Sequence, residues 1–166
     1  MTTTVIAYWL LPAETARKFF LETISELAAR FDAPIFTPHL TLSIVSENSP
    51  DPAEVLKKLI PVAVDLPIVN IRFSEEFTKT LFVRFEKTNE LQQLNDSISG
   101  LTVEQKHDLA DPHLSLLYKR LPEETKRELA SSIQIPFQEV RFDSICAMRC
   151  ASPTQTAAEV RAWKLA

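Results

Sequence analysis

Apolar and polar positions alternate along this chain in two periods, and the switches between them divide it into strands and helices. Thr4-Val5-Ile6-Ala7-Tyr8-Trp9-Leu10-Leu11, rich in β-branched and aromatic residues and closed by Pro12, predicts a buried first strand. From Glu14 to Phe31 the apolar residues Phe20, Ile24, Leu27 and Phe31 fall on one helical stripe, ended by Asp32-Ala33-Pro34. Pro38 to Val45 predicts a second strand. Asp51 can cap a helix that has Pro52 in its first turn and runs through Val55, Leu56 and Leu59 to Pro61. Leu66 to Phe73 and Lys79 to Phe85 alternate as the arms of a hairpin turned by Ser74 to Thr78. Asn89 opens a helix through Leu91, Leu94 and Ile98, stopped at Gly100. The polar stretch Thr102 to Asp111 reads as a loop before a strand at Pro112 to Tyr118. Pro122 starts a helix to Ile133, with Glu123 and Glu124 at its positive end. Gln138 to Cys150 and Glu159 to Leu165 predict two closing strands, joined by a loop at Ser152 to Thr156.

The predicted order is β-α-β-α-β-β followed by α-β-α-β-β. It implies an α+β fold of two similar lobes, each with an antiparallel sheet and helices, and a cleft between them. One bilobal domain over residues 1–166 is expected.

Composition narrows the chemistry. A net charge of −4 and a pI near 5.4 argue against a broad phosphate-neutralising surface, but not against a small nucleotide in a pocket. A single glycine excludes P-loop and Rossmann phosphate cradles and the Gly-x-Ser-x-Gly elbow of serine hydrolases. Phosphate must therefore be bound by side chains. Cys146 and Cys150 lie four residues apart on a predicted strand, roughly 13 Å between Cα atoms, which is too far for a disulfide. Reduced thiols are expected. No basic segment precedes a hydrophobic stretch at the start and no apolar run is long enough for a bilayer, so a cytoplasmic monomer without a membrane partner is the default.

One pentapeptide occurs twice. Pro38-His39-Leu40-Thr41-Leu42 returns as Pro112-His113-Leu114-Ser115-Leu116, 74 positions later (113 − 39 = 74). In a strand, residues i and i+2 share a face, so each copy presents an imidazole and a hydroxyl on one side and two leucines on the other. The chain has three histidines and this repeat uses two of them. Two imidazoles across a cleft suit acid–base chemistry: with ordinary pKa values of about 6.5, one can be neutral and one protonated. One takes a proton from an attacking water and the other gives one to a leaving oxygen. Thr41 and Ser115 can each donate a hydrogen bond to a phosphoryl oxygen as charge builds there. The motif offers no carboxylate for a metal, and Asp111 is the one further oxygen donor close by.

These paired motifs resemble the His-x-Thr/Ser pair of the two-histidine (2H) phosphoesterase superfamily. Within it, the chain is most similar to cyclic phosphodiesterases that act on ADP-ribose 1″,2″-cyclic phosphate and nucleoside 2′,3′-cyclic phosphates. Ala7 to Pro12, Phe36-Thr37-Pro38-His39, His113 to Tyr118 with Pro122-Glu123-Glu124, and Cys146 through Trp163 carry the resemblance; Pro50 to Asp111 carries little. It implies a bilobal α+β fold and hydrolysis without metal or other cofactor. By the same resemblance His39 and His113 are the acid–base pair, Thr41 and Ser115 bind phosphate, and Tyr118 is a further substrate contact. Tyr118 lies five positions after His113, so parity turns it from the cleft unless the strand ends or bulges.

The related 2′,5′ RNA ligase-like proteins, which process RNA ends, have a glycine-containing turn after the first motif and basic residues near the second. Ser43-Ile44-Val45-Ser46-Glu47 lacks that glycine, and Lys119-Arg120 is the basic pair after the second motif. A small cyclic-phosphate nucleotide is thus favoured over RNA ends as partner. A non-catalytic nucleotide-binding module is the remaining alternative, and binding alone has no need of two proton carriers. Trp9 reads as core, Phe77 and Phe82 as core or lobe packing, and His107, Lys79 and Arg84 as solvated surface.

Overall fold

The computed structural model describes residues 2–103 and 109–166. His107 lies outside the described residues. The elements are β1 (Thr3–Pro12), α1 (Glu14–Phe31), β2 (Leu40–Ser46), α2 (Pro52–Leu59), β3 (Val64–Phe73), β4 (Leu81–Phe85), α3 (Asn89–Thr102), β5 (His113–Leu117), α4 (Glu123–Ser132), β6 (Glu139–Ser152), α5 (Ala157–Arg161) and β7 (Lys164–Leu165). A 3₁₀ turn, Phe77–Lys79, joins β3 to β4.

Every strand pair is antiparallel, in the order β1-β2-β5-β4-β3-β6-β7, and β6 pairs with β1 as well. The first six strands therefore close a ring. At 14 residues, β6 is long enough to serve both lobes: its start pairs with β3 and the rest with β1. Opposite it, β2 and β5 touch at one pair, Leu40 with Leu114, at the centre of the two histidine motifs.

The ring maps onto itself when β1, β2 and β3 are exchanged with β4, β5 and β6. Each repeat is thus β-α-β-α-β, and its third strand pairs with the first strand of the other repeat. The α+β, two-lobed expectation stands, but the boundary moves. The sequence reading kept the β3–β4 hairpin inside the first half, whereas the repeats divide within that hairpin. Alternation decides what each face carries. Ile6, Tyr8, Leu10, Leu40, Leu42, Leu114 and Leu116 enter the core with Phe20, Ile24 and Phe142, leaving the opposite faces of β1, β2 and β5 for the site.

Capping explains where the helices follow expectation and where they depart from it. Asp51 accepts from the Ala53 amide (3.2 Å) with Pro52 in the first turn, as the sequence predicts. Helix α3 does not stop at Gly100: it runs to Thr102 and ends on Val103 at φ 61°. A Cβ added at Gly100 would meet nothing within 4 Å. Gly100→Ala is therefore expected to stabilise the fold by about 0.5–1 kcal/mol, read as a higher denaturant midpoint at unchanged slope.

The predicted strand from Glu159 to Leu165 is overturned. Ala157–Arg161 is a helix, and the strand shrinks to Lys164–Leu165. Thr156 caps the Glu159 amide (3.1 Å), and the Glu159 carboxylate accepts from the Gln155 amide and the Thr156 hydroxyl. This Thr-x-x-Glu capping arrangement outweighs the apolar pattern that suggested a strand. Among the described residues, no helix is long and apolar enough to cross a membrane.

Candidate active site

The pairing of Leu40 with Leu114 places the motif strands side by side, and parity sends His39, Thr41, His113 and Ser115 out of the same face. All four line one cavity of about 510 Å³, together with Trp9, Thr78, Tyr118, Cys150, Thr154 and Trp163. The sequence repeat thus becomes a single site across the pseudo-two-fold.

Both imidazoles are anchored alike. His39 Nδ1 lies 2.7 Å from the Thr37 carbonyl oxygen and His113 Nδ1 lies 2.9 Å from that of Asp111, each two residues upstream. A carbonyl only accepts, so Nδ1 carries the proton in both rings and Nε2 is left as the exchangeable nitrogen. Each ring also has an aromatic neighbour at the corresponding place on the adjacent strand. Trp9 stands opposite Thr41 and Phe82 opposite Ser115, and each follows a register shift in its strand. Trp9 stacks on His39 with centroids 3.6 Å apart, and the edge of Phe82 meets His113 at 5.3 Å. Trp9 is buried, as expected of a core residue, and it is also the floor beneath His39.

Burial governs the proton affinities. It pushes the His39 pKa down to about 4, with the charge of His113 adding to the fall and the Thr37 hydrogen bond opposing it. His113 is lowered too, chiefly by burial, with Lys79 adding and the Asp111 carbonyl, the Asp111 carboxylate and Glu76 opposing. At neutral pH burial therefore favours the neutral form of both rings, in contrast to the one-charged, one-neutral pair expected from ordinary histidine values. A nearby anion would favour the imidazolium of either ring.

The two hydroxyls differ. Ser115 is buried and donates to the Thr78 carbonyl oxygen at 2.6 Å. The half-buried Thr41 makes no such bond among the described residues, so its hydroxyl is free to meet a ligand. Tyr118 also reaches the cavity. Strand β5 ends at Leu117, which releases Tyr118 from the parity of the strand. Its ring stacks on Phe36 at 3.9 Å, its hydroxyl interacts with Ser115, and burial raises its pKa.

Trp163 is one of the site residues that sequence reasoning missed, with Trp9, Thr78 and Thr154. Its indole NH donates to Thr154 Oγ1 (3.3 Å), and its ring meets His39 edge-on at 5.9 Å and Tyr118 at 5.7 Å. The Thr156–Glu159 capping pair was the available signal, because it starts the short helix that leads to Trp163. Phe77 and Phe82 are buried and lie outside the cavity lining. Lys79 and Arg84 are not plain solvated charges: both pair with Asp111, at 2.9 and 2.8 Å. Cys146 and Cys150 are free thiols whose pKa values burial raises, that of Cys146 to about 11.

Comparison with known proteins finds a family and a shared fold. The model of a family described as cyclic phosphodiesterase-like protein matches residues 4–164. A cyclic phosphodiesterase of Arabidopsis thaliana is 26% identical, over 74% of this chain and 70% of that protein. Two solved structures share the fold. E. coli LigT complexed with 3′-AMP has a TM-score of 0.51 at 16% identity, covering 89% of this chain and 87% of that one. E. coli LigT complexed with phosphate has a TM-score of 0.52 at 14% identity, covering 98% and 94%.

Proposed function

The chain belongs to the cyclic phosphodiesterase-like protein family, and from that premise we propose that it opens small cyclic phosphodiesters to phosphomonoesters by two-histidine acid–base catalysis. The substrates are nucleoside 2′,3′-cyclic phosphates, ADP-ribose 1″,2″-cyclic phosphate, or both. The observation that carries this reading is the matched anchoring of His39 and His113, which leaves Nε2 as the exchangeable atom of two rings that line one cavity. One Nε2 takes a proton from water as its oxygen bonds to phosphorus. The other, protonated, gives its proton to the ester oxygen as the P–O bond breaks. Thr41 donates to a non-bridging oxygen, with Ser115 and Tyr118 beside it. A cavity of about 510 Å³ walled by Trp9, Trp163 and Tyr118 suits a ligand of nucleotide size. The 3′-AMP bound to E. coli LigT is a ligand of that size.

A turnover screen tests this reading. Cyclic mononucleotides, ADP-ribose cyclic phosphate and oligonucleotides with cyclic ends are incubated with the protein, and the product position is read by phosphorus NMR. Turnover of the small cyclic phosphates, undiminished by EDTA, is expected. Tight binding of 2′,3′-cyclic nucleotides without turnover would make the protein a binding module instead, and loss of activity in chelator would end the metal-free scheme.

The pH dependence follows from burial. Both rings have pKa values below the ordinary 6.5, so the singly protonated pair that the reaction needs is populated in the free protein on the acid side of that value. The kcat/KM profile, which reports the free protein, is expected to peak there. The kcat profile is expected to peak at higher pH, because bound phosphate favours the imidazolium. A kcat/KM maximum on the alkaline side would contradict the burial argument.

A further inference from the structure

The two histidine motifs are alike in sequence and unlike in what holds them. His39 lies among Trp9, Trp163 and Phe36, and the residue two before it, Thr37, is exposed and lends only its carbonyl. At the corresponding place before His113 stands Asp111, whose φ of 24° is strained for a residue with a side chain. Its carboxylate accepts from Lys79 Nζ at 2.9 Å and from Arg84 Nε at 2.8 Å. Lys79 comes from the 3₁₀ turn, and Arg84 from β4, where it pairs in register with His113. The backbone oxygen of the same Asp111 accepts the Nδ1–H of His113.

We propose that the Lys79–Asp111–Arg84 cluster positions His113 and sets its proton affinity. The two cations tether the carboxylate, the tether holds a backbone conformation that would otherwise relax, and that conformation keeps the carbonyl on Nδ1. Asp111 is a positioning residue and touches no reacting atom. The charged groups acting on the ring are Lys79 on one side of the balance and Asp111 and Glu76 on the other, with His39 across the cavity, while Arg84 acts by pairing with the Asp111 carboxylate. Removing the Asp111 charge takes away a nearby anion and leaves Lys79 uncompensated, which disfavours the imidazolium. This proposal rests on reading His113 as catalytic.

Its test reads the ring directly. Asp111→Asn removes the charge at nearly constant size, and Asp111→Ala removes the tether. In both, imidazole NMR is expected to show His113 titrating at lower pH than in the unaltered protein, with His39 unmoved. In Asp111→Ala the nitrogen shifts of His113 should also lose the single Nδ1–H form. Turnover of a 2′,3′-cyclic nucleotide by Asp111→Asn is expected to fall roughly tenfold in kcat with little change in KM, as when the partner orienting an imidazole is lost. Adding Lys79→Met to Asp111→Asn should return the titration toward its original position. An unchanged titration and tautomer overturn the proposal, as does an equal shift of both rings, which general loosening would produce. If Asp111→Ala fails to fold, Lys79→Met alone decides, since losing that cation should move His113 to higher pH. The NMR readout needs no turnover, so absence of hydrolysis in the unaltered protein would count against the catalytic reading and not against the tether.

Discussion

Alanine at His39 or at His113 is expected to lower kcat by at least roughly 10²–10⁴, the contribution of one positioned acid or base. The double variant should be little worse than either single one, because each ring depends on the other to complete the proton transfer and residues that act as a unit do not add. His39→Ala also removes the surface on which Trp9 stacks, so part of its effect could come through a displaced indole. His39→Gln separates the two causes: it keeps most of the volume, offers no titrating nitrogen, and should be as slow as alanine. Circular dichroism and a denaturant midpoint check that each variant is folded. A rate within about tenfold of the unaltered protein for either single variant would sink the paired acid–base scheme.

That so much rests on two residues reflects how the chain encodes its site. The motif strands were legible because a strand repeats every two residues, and one pentapeptide therefore states both its buried leucines and its exposed imidazole and hydroxyl. The duplication was legible only there. Trp9 and Phe82 occupy matching places on β1 and β4, yet the strands around them share no sequence pattern, and a register shift in each hides the match from residue counting. The β3–β4 hairpin reads as one local unit in sequence, so the repeat boundary inside it emerges only from the ring of hydrogen bonds. The predicted closing strand, Glu159 to Leu165, gave way to a helix because the deciding interactions come from the polar residues Thr156 and Glu159. The fate of Lys79 and Arg84 depended on Asp111, 32 and 27 residues away, and no local pattern announces such a pairing.

Burial of the histidines is the other property that sequence could not supply, and it gives the site a consistent logic. His39, its ring stacked at 3.6 Å on Trp9 and the residue only 7% exposed, resists charging unless an anion lies close by. The same low polarity strengthens each hydrogen bond made to that anion. Under the proposed mechanism, the free protein holds its protons loosely and a bound phosphate holds one firmly, so substrate binding would itself create the acid.

The hydroxyl pair is expected to show the next largest effect, and an unequal one. Thr41→Val removes the cavity-facing hydroxyl at nearly constant shape and should cost roughly 10²–10³ in kcat, as for loss of one oxyanion donor. Ser115→Ala should cost less, near tenfold, because Ser115 must give up its 2.6 Å bond to the Thr78 carbonyl before it can donate to a phosphoryl oxygen. The motifs alone rank the two equally; the 3₁₀ turn that carries Thr78 breaks the tie, since β1 is strand where the other repeat has this turn. Steady-state kinetics on one cyclic mononucleotide, with kcat and KM resolved for both variants, decides the order. A larger loss for Ser115→Ala would mean that the serine swings from Thr78 to the phosphate on binding. In that case Tyr118→Phe, which removes the hydroxyl beside Ser115, should lower kcat as well. If both variants instead raise KM at constant kcat, the hydroxyls hold the ground state and the transition state equally, and the developing charge is met by the imidazoles alone.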